Sequence, residues 1–391
     1  MATAVLDLDL SAAPADIAGL NRYDRALVLI RWCGHPVGVV ELPVAGGRLD
    51  GQATRRAMID RLDWAFWERW LRDRLGEPAP ARRPATVAIC TRERPDDLQR
   101  ALEAVTRGLD DGDELLVIDN APSSDATRRV VERFPVARYV CETRQGLDVA
   151  RNRALREARW DVVAFTDDDA VPDRGWLRAL LPPFADPLVL CVTGLTMPLE
   201  LETPAQEAFE RYAPFGRGFR RRVFDGTRDD PLAVGHVGAG ANMAIRRSAL
   251  EVVGPFDEAL DAGTASRTGG DHEMFARILA AGYRIVYEPD ALSWHRHRRA
   301  WPEVRQTAYG YGVGVYAMWT RLLFEAGEVG VLSRSLTWFF DYQLPRIARA
   351  ASRRAGSPPV LLLLAELWGC AAGPWAYLSA RRRLRRGLAA G

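Results

Sequence analysis

The chain has 391 residues, more than a single core needs, with a charged share of 27% and a net charge of only +2. That balance excludes a bulk electrostatic affinity for nucleic acid, and the 48% apolar share is that of an ordinary globular protein. Every basic residue is Arg and none is Lys, which excludes Schiff-base chemistry and the lysine of a Walker phosphate loop. The five cysteines (Cys33, Cys90, Cys141, Cys191, Cys370) show no metal-ligand or redox spacing, as suits a reducing compartment. Acidic residues without a basic segment at the start, "MATAVLDLDLSAAPADIAGL", do not read as a secretory signal, and residues 1–20 read as a loose tail. "RALVLIRWCGHPVGVVELPV" predicts a β-hairpin around Gly34-His35-Pro36, and "ATRRAMIDRLDWAFWERWLRDRL" a helix with an aromatic-rich face. "GEPAPARRPA" reads as a linker, so residues 1–80 are expected to form a small accessory module.

Beyond Pro84 the pattern changes. "ATVAIC", "DELLVIDN", "VARYVC" and "WDVVAFTDDD" read as strands separated by three helices, the first opening at Pro95 with Asp96 and Asp97 in its first turn. Strands alternating with helices predict a mostly parallel sheet flanked by helices, with ligands beyond the carboxyl ends of the strands. Thr91-Arg92, Asp119-Asn120 and Asp167 to Asp169 fall at those ends. Three adjacent carboxylates repel one another unless something cationic sits among them. A nucleoside diphosphate with a divalent metal would use such groups, because hard oxygen ligands suit Mg²⁺ or Mn²⁺.

Downstream, "GHVGAGANMAIRRSAL" places Gly235, Gly238 and Gly240 before an expected helix, where backbone can approach a ligand. Asp271, His272 and Glu273 begin another helix, with Gly269-Gly270 before it expected to let substrate come close. His295 and His297 form an H-x-H on an extended segment, which points both side chains to one face.

"TVAICTRERPDDLQRAL", "LLVIDNAPSSD", "RQGLDVARNRAL", "FTDDDAVPDRGWL", "GAGANMAIRRSAL", "GPFDEAL" and "GGDHEMFARILAAGYRIVYEPDALSWHRHR" occur in one order. Together they make residues 84–300 resemble the inverting nucleotide-sugar glycosyltransferases of family 2 with the GT-A fold. The resemblance implies transfer from a nucleotide sugar, a UDP-sugar by preference, to a hydroxyl of a glycan or lipid-linked acceptor with inversion at the anomeric carbon. It implies that Thr91, Arg92 and Asp119 line the base pocket and that Arg151 or Asn152 faces the nucleotide. By the same resemblance Asp167 and Asp168 lie against ribose or diphosphate, Asp169 and one of His295 and His297 hold Mn²⁺ or Mg²⁺, and Asp271 is the general base. Gly240, Asn242 and Glu273 fall on the acceptor side. The family often has Glu-Asp where this chain has Gly270-Asp271, so Glu273 is expected to share part of the missing acid's role.

Residues 301–391 lie outside that core. They read as a helical, basic extension with nine arginines from Arg346 onward against the single acid Glu366. "VLLLLAELWGCAAGPWAYLSA" is near bilayer-spanning length, but Glu366, Gly373 and Pro374 argue against a lipid-exposed span. Two readings stand: a helix pair packed on the catalytic domain, and an interfacial pair whose basic flanks seek an anionic membrane surface from the cytoplasmic side. The same acids and histidines would also serve a metal-dependent nucleotidyltransferase or phosphohydrolase, or an inactive scaffold that binds sugar nucleotides.

Overall fold

A computed structural model describes residues 2–12, 14–76, 82–352 and 356–389, the side chains of 387–389 excepted. Half of the expected linker, residues 77–81, lies outside the described residues, as do Arg353 and Arg354.

The segment expected as a loose tail is a strand. β1 (Thr3–Asp9) runs parallel to β2 (Arg25–Trp32), which turns back through Cys33-Gly34 into β3 (His35–Pro43). Pairing with β2 satisfies the β1 backbone, while Ala4, Leu6 and Leu8 join an apolar cluster with Val28, Ile30 and Met58. The single helix predicted next is two, α1 (Gly51–Asp60) and α2 (Trp64–Leu75). Asp63 makes the break: its side chain accepts the Ala65 N–H at 2.8 Å, so the chain starts a fresh N-terminus there. Arg31 reaches Asp173 at 2.6 Å, and His35 and Arg69 converge on Asp290, which seats these elements on the main sheet.

The main sheet begins with the predicted alternation: β4 (Thr86–Thr91), α3 (Pro95–Gly108), β5 (Glu114–Asn120), α4 (Ala126–Val131), β6 (Ala137–Glu142), α5 (Leu147–Glu157) and β7 (Val162–Asp167). It continues with β8 (Ala170–Pro172), α6 (Trp176–Leu180), β9 (Val189–Pro198), α7 (Pro204–Tyr212), β10 (Arg222–Asp225), β11 (Asn242–Arg246), α8 (Ala249–Val252), α9 (Gly270–Ala280) and β12 (Arg284–His295). The strand order is β10-β12-β9-β11-β7-β4-β5-β6, with β8 paired to β12. β7, β4, β5 and β6 are parallel, and β11 enters antiparallel between β7 and β9. The helix expected after the glycine-rich stretch is therefore preceded by β11, whose Met243, Ala244 and Ile245 are fully buried between two strands. The whole is an α/β sheet with helices on both faces and two apolar clusters above and below it.

The C-terminal region is helical throughout: α10 (Trp301–Glu325), α11 (Gly330–Thr337), a π-helical turn (Trp338–Gln343), α12 (Leu344–Ala351) and α13 (Val360–Ala389). α10 and α13 lie backbone to backbone. A Cβ on Gly312 would stand 1.9 Å from the carbonyl oxygen of Glu366, so only glycine admits that approach. Glu366 itself is buried, accepting from Tyr212 and Gln343 at 2.8 and 2.7 Å.

Candidate active site

The carboxyl ends of β4, β5 and β7 meet one end of β12. Register decides the meeting: His295 pairs with Ala170 of β8, and the Arg296 N–H donates to the Asp169 carbonyl at 2.9 Å. The aspartate turn and the histidine segment are thus laced together by backbone. Asp167, Asp169 and His295 place one ligand atom each within 4.8 Å of the others. Two carboxylates and an imidazole form the donor set that Mn²⁺ or Mg²⁺ accepts, so the residues fit a divalent cation.

Charge answers why three aspartates stand together. Asp169 is faced by His295 Nε2 at 3.3 Å and by Arg94 and Arg298 at 3.1 Å each. Burial works against its charge, yet His295 and then the arginines hold its carboxyl well below the usual range. Asp167 is pushed up to about 6 and Asp168 to about 7, by burial first and then by the charge on Asp169. Asp168 is not one of the three clustered ligand groups. It accepts from the Thr91 hydroxyl at 2.7 Å and from Arg94 at 3.1 Å.

The Thr91 hydroxyl proton is thus given to Asp168, and only its oxygen lone pairs are left for the expected base pocket. Asp119 keeps the free valence such a pocket needs: its Oδ2 accepts from Tyr139 at 2.8 Å, while its fully buried Oδ1 has no partner. Arg92 is exposed at the end of β4.

On the other side, α9 starts at Gly270 and presents Asp271 half-buried. Its Oδ2 accepts the Gly240 N–H at 2.7 Å and its Oδ1 the His272 N–H at 2.8 Å. Gly240 thus acts through its backbone on Asp271. Burial opposes the Asp271 charge, but His272, Arg151 and these two N–H groups hold the carboxyl below its ordinary range. Arg151 bonds Asp148 at 2.9 Å and Asp261 at 2.7 Å, and its field acts on both Asp271 and Asp167. Gly269-Gly270 serve a different approach from the one expected. A Cβ on Gly270 would lie 1.9 Å from Asp148 Oδ2, and one on Gly269 would lie 2.7 Å from the Gly314 carbonyl of α10.

Three expected site residues belong to the scaffold. Asn152 is buried and exchanges two hydrogen bonds with the Phe256 backbone at 2.9 and 3.0 Å, which ties both ends of its amide into the fold. Asn242 is fully buried, donating to Leu195 and Ala291 carbonyls and accepting from the Trp176 indole at 2.7 Å. Glu273 is also fully buried, bound by Arg277 and Arg321 at 2.7 Å each, which removes it from the acceptor side and from any share in proton transfer. His297 turns away from the acids toward Glu210 at 2.8 Å, so His295 alone joins them. Arg94 and Arg298 were missed by sequence reasoning. Arg94 had a signal, three residues past a strand end that faces three aspartates. Arg298 did not, because strand alternation stops at His295.

Residues 86–254 match the family model for glycosyl transferase family 2. The pre-mycofactocin glycosyltransferase of Mycobacterium tuberculosis is 32% identical over 246 residues, covering 59% of this chain and 47% of that protein. The amylovoran biosynthesis glycosyltransferase AmsE of Erwinia amylovora is 22% identical over 266 residues, covering 64% of this chain and 91% of that one. The solved mannosyltransferase PcManGT of Pyrobaculum calidifontis, in complex with GDP-Man and Mn²⁺, superposes with a TM-score of 0.45 at 22% identity, over 84% of this chain and 83% of that one. Over residues 86–254 this chain is similar to family 2 glycosyltransferases. It spans about half the length of the mycobacterial relatives it matches.

Proposed function

We propose that the protein moves a sugar from a nucleotide-sugar donor to a hydroxyl of a glycan or lipid-linked acceptor, with inversion at the anomeric carbon. The observation that carries the reading is a cation-competent cluster, Asp167, Asp169 and His295, together with a carboxylate fixed separately by two backbone donors, Asp271. Asp119, with its unpartnered oxygen at the end of β5, is suited to a base N–H or a ribose hydroxyl. Arg94 and Arg298 hold the aspartate turn and offer positive charge to a diphosphate. A divalent cation bound by the cluster would neutralise the charge that develops on the departing diphosphate. Asp271, ionised at neutral pH, takes the acceptor proton as the new bond forms. A thermal-shift panel of UDP-, GDP- and dTDP-sugars, with and without Mn²⁺, tests the reading. The donor should raise the melting temperature by mass action only when Mn²⁺ is present. A panel in which no nucleotide sugar shifts the chain would sink it.

The second part of the proposal is a place on the cytoplasmic membrane surface. α13 buries one side against α10 and turns Leu361, Leu364, Trp368 and Trp375 to the outside, the two tryptophans about 70% exposed (71% and 70%). Leu332, Leu336 and Phe340 add to the exposed apolar residues of this region. Arg382, Arg383, Arg385 and Arg386 follow directly, with Arg382 over the Trp375 ring. Tryptophans beside a basic run suit the boundary of an anionic bilayer. The span Val360–Arg386 is long and apolar enough to cross a membrane, but its close seating on α10 favours lying along the surface. The full chain should co-sediment with vesicles rich in phosphatidylglycerol and be released by high salt. Retention in alkaline carbonate would mean a span instead, and no sedimentation would remove the membrane from the proposal.

A further inference from the structure

We propose that Glu210 and His297 form a tautomer relay that turns the Nε2 lone pair of His295 toward Asp167 and Asp169, a proposal that rests on the divalent-cation reading above. The contacts form one line. Glu210 Oε2 lies 2.8 Å from His297 Nε2, His297 Nδ1 lies 3.2 Å from His295 Nδ1, and His295 Nε2 lies 3.3 Å from Asp169 Oδ1.

A neutral imidazole carries one N–H and one lone pair, and a carboxylate only accepts. Glu210 therefore requires the proton of His297 on Nε2, which leaves a lone pair on His297 Nδ1. That lone pair needs a donor across the 3.2 Å contact, and the only ring nitrogen there is His295 Nδ1. With its proton on Nδ1, His295 presents the Nε2 lone pair to the acids. Nε2 then faces Asp169 Oδ1 across an electron-rich gap that a positive charge fills, whether a metal ion or a proton. Each assignment follows from the one before, and all of them start at one carboxylate on α7.

The surroundings hold the line in place. The His297 side chain is 1% exposed, so water cannot replace either partner. Phe209 stands edge-on to His297 at 4.8 Å, and Phe215 does the same to His295 at 4.9 Å and to His297 at 5.7 Å. Gln206 donates to the His297 carbonyl at 3.2 Å while closing the capping box of α7 with Thr203. One short helix thus supplies the relay's carboxylate, one ring of its aromatic wall (Phe209) and its backbone anchor, with Phe215 following just beyond its end. Glu210 and His297 are positioning residues: they act on the cation through His295. Partners of this kind fix ring orientation and ligand basicity, and their loss costs about 10- to 100-fold in metal affinity.

Mn²⁺ binding to the full chain, followed by the electron paramagnetic resonance of the free ion, tests the relay. Glu210→Gln lies on a partly exposed side chain and should fold with an unchanged melting temperature, yet bind Mn²⁺ about 10- to 100-fold more weakly. His297→Gln should weaken it at least as much, and His295→Gln should abolish it. With only five histidines in the chain, ¹⁵N-histidine nuclear magnetic resonance reads the direction of the relay independently of any metal. His297 should carry its proton on Nε2 and accept at Nδ1 from His295. A His297 proton on Nδ1, or Mn²⁺ affinity unchanged in both Glu210→Gln and His297→Gln while His295→Gln loses it, would overturn the relay. A wild-type chain that takes up no Mn²⁺ would instead count against the cation reading, with the relay still decided by the tautomers.

Discussion

Asp271→Asn should slow sugar transfer by at least about a hundredfold while leaving nucleotide-sugar binding near wild type. A sugar hydroxyl is a poor nucleophile while it keeps its proton, and an inverting displacement needs a base on the face opposite the departing diphosphate. Two backbone donors, Gly240 and His272, fix Asp271 at 2.7 and 2.8 Å, which suits the proposed task. The amide of Asn keeps one acceptor oxygen, so one of these contacts is lost, a cost of about 1 kcal/mol that lowers the melting temperature by no more than a few degrees. It cannot take the proton. The pH profile carries a second signature. A carboxyl held below its ordinary range stays ionised as pH falls through the usual aspartate pKa, so the acid limb of the rate should lie lower than an unperturbed aspartate would give. Near-normal transfer by the Asn variant would remove Asp271 as the base. Glu273 could not then inherit the role, because both of its oxygens are occupied by arginines.

Asp169→Ala should abolish the part of nucleotide-diphosphate binding that EDTA removes. In the present arrangement this carboxylate is the common partner of His295, Arg94 and Arg298, and it carries the lowest pKa of the three aspartates. Removing it would take one oxygen from the proposed cation site and leave three cationic or basic groups without their shared counter-charge. A diphosphate could still meet Arg94 and Arg298, so residual binding should be weak, salt-sensitive and indifferent to metal. Calorimetry of UDP and GDP with Mn²⁺ and with excess EDTA measures the difference. Wild-type affinity that is the same in EDTA would sink the cation's role, and Asp169 would then be an anchor for arginines alone.

Much of this protein is readable in its one-dimensional pattern, because local rules act within a few residues. The alternation from β4 to β7 needs only short buried runs separated by helical spacing, and Pro95 with two acids marks the start of α3 without reference to anything distant. The strand-end placement of Asp119, Asp167 and Asp169 follows from that alternation, as does the expectation of a ligand there. The roles of Asp271 and His295, as opposed to their places, came only from the ordered resemblance, since a carboxylate in a first helical turn or a histidine on a strand has no specific role on its own.

What escaped the sequence depended on partners far along the chain. β1 is a strand because β2 offers it a ladder; alone, its apolar alternation was too weak to decide. Asn152, Asn242 and Glu273 sit among the motif residues, yet Phe256, Trp176 and Arg321 claim them, and no local rule predicts contacts across such separations. The same holds for the two histidines. Period-two spacing puts both on one face, but it cannot say that Glu210, 87 residues away, draws His297 while Asp169 takes His295. Composition and short-range periodicity thus determined which elements form and which strand ends hold acids. Tertiary structure alone decided which side chains are free for a ligand, because a buried polar group is claimed by whichever partner the fold brings within hydrogen-bond reach.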